Sequence, residues 1–119
     1  MSAPRTLAQV TGGAAEEEAA RFLERHGLTI VARNYLTRMG EIDIVALDGE
    51  VMVFVEVRMR SSRGYGGAPE SITLAKQRRI AAAAARFLQG YRRPPRCRFD
   101  VVLLQQGAPE WLKAAFECG

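Results

Sequence analysis

Apolar residues recur along the chain in two periods. Ala15, Ala19, Phe22, Leu23 and His26 fall on one stripe at spacings of three and four, predicting a helix over residues 14–26. Thr11 or Gly12 lies near its start, and Gly27 is placed to stop it. Residues 28–34 read as a strand. Residues 41–47 and 50–60 read as two more, joined by Asp48-Gly49 as a type I′ hairpin turn, which needs φ > 0 at both positions. Residues 61–69 hold four Gly or Pro and read as a loop. A second helix is predicted over 73–89, with Ser71 or Thr73 as cap and Gly90 as stop. A basic loop over 91–98, a fourth strand over 99–104 and a short closing helix or strand over 111–116 complete the chain. The order is α-β-β-β-α-β plus a tail, which predicts an α/β fold with a mixed central sheet flanked by helices. Residues 1–10 are expected to be a flexible tail and 11–119 a single domain.

Alternation puts Glu41, Asp43 and Val45 on one face of their strand, with Ile42 and Ile44 on the other. On the next strand Met52, Phe54, Glu56 and Arg58 share a face. With Leu47 opposite Glu50, Asp43 falls opposite Phe54 and Glu41 opposite Glu56. Glu41, Asp43, Glu56 and Arg58 are therefore expected as neighbours on one face. Glu56 interrupts a valine run that otherwise reads as a buried central strand, and Asp43 sits inside Ile42-Asp43-Ile44-Val45. Buried carboxylates are costly unless paired or bound to a cation. Two readings follow: a salt-bridged edge hairpin with one polar face, or a metal site. In the second, Asp43 and Glu56 hold a divalent ion through oxygen, and Arg58 faces the charge that develops on a phosphate under attack. Glu16 points inward from the first helix and is a further candidate, only weakly separated by spacing from Glu17 and Glu18.

Composition narrows the chemistry. Cys97, Cys118 and His26 match no zinc spacing, and two reduced thiols are expected in a chain with no recognisable export signal. A metal must then be a hard ion on oxygen, magnesium or manganese. His26 is expected at a helix end, and Trp111 and Phe116 as core anchors. No run approaches the ~20 apolar residues of a membrane helix, so a cytoplasmic protein with no membrane partner is expected. The net charge is +4, and residues 58–98 hold eleven Lys and Arg against one acid, Glu70. That excess favours a polyanionic partner, nucleic acid, over a basic surface with none. Lys76 and Gln77 are placed to reach a phosphate near the site, although Lys76 also reads as an ordinary residue near a helix start. Arg78, Arg79 and Arg86 on the outer side of the second helix, with Arg92, Arg93, Arg96 and Arg98, would track the phosphate backbone. Tyr65 and Tyr91 either stack on bases or pack on their neighbours.

These residues are familiar in combination. Ala15-Glu16, Arg33-Asn34-Tyr35, Gly40-Glu41-Ile42-Asp43-Ile44-Val45, Val53-Phe54-Val55-Glu56-Val57-Arg58, Lys76-Gln77-Arg78-Arg79 and Arg98-Phe99-Asp100-Val101-Val102 resemble the YraN family of small bacterial proteins. The resemblance spans nearly the whole chain and implies a restriction-endonuclease-like, Holliday-junction-resolvase-like fold of the PD-(D/E)XK type. Carried over, Glu16, Asp43 and Glu56 would be metal ligands. The motif's lysine is Arg58 here, which keeps the charge but cannot give up a proton. The function implied is a metal-dependent endonuclease on structured or branched DNA, possible as a homodimer by analogy of fold. The alternative is a nucleic-acid-binding module that keeps the fold and has lost the chemistry.

Overall fold

The structure, a computed structural model, describes residues 7–59 and 72–116, with side chains from residue 13 onward. The expected contributions of Arg60, Arg63, Tyr65, Glu70, Ser71 and Cys118 lie outside the described residues. The elements are α1 (Leu7–Arg25), β1 (Thr29–Leu36), β2 (Glu41–Asp48), β3 (Val51–Met59), α2 (Leu74–Leu88), β4 (Cys97–Leu104) and β5 (Glu110–Phe116). The strands form one mixed sheet in the order β1-β2-β3-β4-β5. Only β3 and β4 pair in parallel, and α2 is the crossover between them. The predicted α/β class and element order hold, and the closing element is a strand.

Helix α1 starts earlier than its pattern suggests. Its backbone runs from Leu7 through Gly12-Gly13, so residues 7–10, read as tail, are helical. Glycine lowers helix propensity by only about 1 kcal/mol, which helical neighbours can override. The C-terminus is a Schellman motif. Gly27 takes φ 92°, its N–H donates to the Glu24 carbonyl, and the Leu28 N–H reaches back to that of Leu23. Leu23 and Leu28 are both buried in the same core cluster. His26 is exposed beyond this stripe; its ring packs on Phe22 and Trp111, and Nδ1 lies 2.8 Å from the Phe22 carbonyl.

Two apolar cores lie on opposite faces of the sheet. Ala15, Ala19, Phe22 and Leu23 of α1 cover Ile44, Ala46, Val53, Val55 and Val102. Ile80, Ala83 and Ala84 of α2 cover Val45, Met52, Phe54 and Phe99. Since both faces are covered, β3 and β4 read as nearly continuous apolar runs. Thr73 caps α2 by accepting the Lys76 N–H at 3.1 Å.

The β2–β3 register differs from expectation by two residues. Asp48 pairs with Val51 and Ile44 with Val55. The turn residues are Gly49 and Glu50, and only Gly49 has positive φ, the type II′ pattern instead of I′. A shift of two keeps every side chain on its face, so the faces survive although the partners change. Ile42 is the exception. It joins Val45 in the α2-side core, not Ile44, because the regular β2–β3 pairing ends at Ile44.

A buried carboxylate ties β5 to the sheet. Asp100 is fully buried. It accepts two bonds from Arg98, at 2.9 and 3.0 Å, one from Trp111 Nε1 at 2.8 Å and one from the Ala114 N–H at 3.0 Å. Arg98 also reaches Asp48 at 3.1 Å. Ala114 takes φ 52° where β5 departs from regular pairing near Asp100. Arg98 is therefore not part of a phosphate track; its guanidinium is spent on two carboxylates. Cys97 is disulfide-bonded, against the expectation of reduced thiols. The antiparallel pairing of Phe99 with Phe116 returns the chain to the start of β4. Replacing Asp100 by Ala leaves Arg98, the Trp111 N–H and the Ala114 N–H short of a partner. The expected cost is about 3–5 kcal/mol, read by urea unfolding; a loss below about 1 kcal/mol would contradict this role.

Candidate functional site

The cleft lies where three elements stop packing evenly. Strand β3 is the middle strand, and toward its end the face beneath α2 changes from Met52 and Phe54 to Glu56 and Arg58. Above it stands the first turn of α2. Lys76 lies four residues before Ile80 on the same helix face, just past the edge of the apolar core. The third wall is the Thr37–Gly40 turn. Thr37 Oγ1 accepts the N–H groups of Met39 and Gly40, each at 3.0 Å. Gly40 approaches α2 so closely that an added Cβ would stand 2.9 Å from the Arg79 carbonyl oxygen; only glycine fits there. The resulting cleft, about 390 Å³, is lined by Glu41, Asp43, Glu56, Arg58, Lys76 and Arg79 among others.

Glu56 is buried, and its Oε2 lies 3.0 Å from Lys76 Nζ and 3.5 Å from Arg58 Nη1. Asp43 lies beside it. With the ladder ended at Ile44, Asp43 Oδ2 takes the Val57 N–H at 2.8 Å. Burial is the main force on the Asp43 pKa and raises it to about 7; the bond from Val57 opposes this, and the nearby Glu56 and Glu16 charges add to the rise. A cation placed between Asp43 and Glu56 would remove that repulsion, and both groups offer hard oxygen donors. The donor set therefore fits a magnesium- or manganese-like ion. Among the described residues no group of three or more His, Cys, Asp or Glu side chains is placed to hold an ion. Glu16 is at the margin: partly exposed on α1, outside the cleft lining, close enough for its charge to act on Asp43.

The basic residues are spread out. Arg79, expected on the outer side of α2, is exposed yet lines the cleft. Arg78 is exposed nearby. Gln77 Nε2 donates to the Ile72 carbonyl at 3.1 Å, which ties its side chain to the helix entry. Arg86 lines a separate recess with Tyr35, Arg38 and Met39. Arg92, Arg93 and Arg96 are exposed beyond the far end of α2, whose 15 residues span about 22 Å. Tyr91 packs beside Phe87, ring centroids 6.1 Å apart. Sequence reasoning missed the Asp100 network and the role of Gly40. Asp100 interrupts an apolar run as Glu56 does, and that signal was there to use.

The family model for Uncharacterised protein family UPF0102 matches residues 15–104. That span covers both helices' packed faces, the whole cleft and β1 to β4. The chain belongs to this family. It is the YraN family that the motifs resemble. Similar members include the UPF0102 protein of Herminiimonas arsenicoxydans, 47% identical over 114 residues, covering 96% of this chain and 92% of that protein. The UPF0102 protein of Alkalilimnicola ehrlichii is 53% identical over 108 residues, 89% of this chain and 86% of that one. That of Cupriavidus taiwanensis is 53% identical over 111 residues, 92% and 84%.

The Asp43 shift gives this UPF0102 protein a pH signature. A carboxyl whose pKa rises on folding, from 3.8 to about 7, holds its proton more tightly when folded. Stability therefore falls as pH rises from about 4 to about 7 and is flat above. Asp43→Asn removes that penalty and can still accept the Val57 N–H. The variant should melt above the parent at pH 8 and near it at pH 4.5. A variant that is less stable than the parent at pH 8 without metal would contradict the repulsion.

Proposed function

We propose that this protein is a divalent-metal-dependent phosphodiesterase acting on nucleic acid, with DNA of structured or branched form as the expected substrate. The observation that carries the reading is the Asp43–Glu56 pair. Two carboxylates adjoin at the end of a central strand, one held near neutrality by burial and repulsion, in a cleft walled by Arg58, Lys76 and Arg79. Repelling acids inside a ring of cations suit a site that takes a metal ion and a phosphate together.

In this reading Asp43 and Glu56 hold the ion, with Glu16 near enough to add negative charge. The ion, when bound, polarises the phosphate and lowers the pKa of an attacking water. Arg58 is oriented by its contact with Glu56 and faces the phosphate, where a fixed guanidinium stabilises developing charge without losing a proton. Arg79 and Arg78 receive neighbouring phosphates at the cleft mouth. Arg86 and the Arg92, Arg93 and Arg96 group extend positive charge about 22 Å along α2, enough to follow several phosphates of a strand.

The second reading, a nucleic-acid-binding module without chemistry, is favoured by one observation. Arg58 occupies the position where the resemblance expects lysine, so a mechanism needing a neutral amine there is closed. Cleavage separates the two. Linear, flap and four-way-junction DNA are incubated with manganese, magnesium or chelator, beside Glu56→Gln. The proposed function predicts cutting that requires metal and falls at least about 100-fold in the variant. DNA that is shifted in a gel but uncut under every condition would favour the binding module. DNA neither shifted nor cut would refute both.

A further inference from the structure

We propose that Lys76 and the divalent cation exclude one another at Glu56, and that the cation's arrival releases the Lys76 ammonium to the phosphate being cleaved. The second half rests on the phosphodiesterase reading; the first does not.

The contact is specific. Lys76 Nζ lies 3.0 Å from Glu56 Oε2, closer than the 3.5 Å of Arg58 to the same oxygen. Glu56 is 6% exposed, so its charge cannot be left to solvent. Among the described residues Lys76 is the cation that meets it most closely. A divalent cation taking Glu56 as a ligand needs the same carboxylate and repels an ammonium at that distance. The two therefore compete for one oxygen.

The backbone under Lys76 is fixed while its side chain is not. Thr73 Oγ1 holds the Lys76 N–H at 3.1 Å, which anchors the first turn of α2. The side chain is 39% exposed and has a flexible four-carbon stem. Once displaced, the ammonium stays in the same cleft, where a bound phosphate would offer it a new anionic partner. Arg58 is placed differently. It shares a strand with Glu56 two residues away and meets the same oxygen less closely, at 3.5 Å. A primary ammonium is thus delivered from α2 to the site where the strand itself offers only a guanidinium. Lys76 becomes a second phosphate-contacting cation, beside Arg58 in the same cleft.

Manganese affinity without DNA, read from the free-ion electron paramagnetic resonance signal, is compared for the parent, Lys76→Met, Lys76→Gln and Arg58→Met. Both Lys76 variants should bind manganese roughly tenfold more tightly, because a competing cation is gone; Arg58→Met should change it less. At saturating manganese the Lys76 variants should cut DNA about 100-fold more slowly while binding it nearly as well. Lys76 variants that bind manganese no more tightly than the parent would overturn the exclusion. Lys76 variants that cut at the parent rate would overturn the phosphate role. A parent that binds manganese but cuts no DNA sinks the phosphodiesterase reading and the phosphate role with it, and the affinity comparison still decides the exclusion.

Discussion

Burying a carboxylate in a β-sheet costs several kcal/mol unless opposite charge or hydrogen bonds meet it, and this chain does so on two adjacent strands. On β4, Asp100 is met completely: a bidentate arginine, an indole N–H and a backbone N–H close around it. That cluster fastens β5 and completes the sheet edge. On β3, Glu56 is met by cations from two elements, and its neighbour Asp43 is left with a strongly raised pKa. The first arrangement is closed and serves the fold. The second is open to a cleft and keeps unspent capacity for a cation.

The rest of the architecture presents that open pair. Central β3 carries Glu56 between covered faces. The break in β2–β3 pairing after Ile44 frees the Val57 N–H for Asp43. Gly40 lets the β1–β2 turn touch the Arg79 backbone, which draws the first turn of α2 over the acids. The same helix that builds the second core therefore also carries Lys76 and Arg79 to the site.

Much of this was legible in the sequence because faces depend on parity. The predicted hairpin register was wrong by two, yet Asp43, Glu56 and Arg58 still met, since a shift of two preserves the face. The error came from Asp48-Gly49: the chemistry of an Asp-Gly turn is real, but a Gly in the first turn position gives the II′ form and moves the turn by one residue. Long-range partners were not legible. Nothing local says that Arg98 faces Asp48 and Asp100 instead of solvent, so its charge was assigned to a phosphate track. Clustering in sequence also overstated clustering in space. Residues 76–79 and 92–96 stand at opposite ends of a helix. Nor does anything local to Cys97 say that it is disulfide-bonded.

The central claim is that Asp43 and Glu56 form a divalent-cation site. Paramagnetic broadening of backbone amide signals by substoichiometric manganese tests it without requiring activity or DNA. The account predicts that signals of Asp43, Glu56, Val57 and Arg58 fade first, and that this selectivity disappears in Glu56→Gln. Broadening centred instead on the exposed acids of α1, such as Glu18 and Glu24, with the β3 signals untouched, would contradict it.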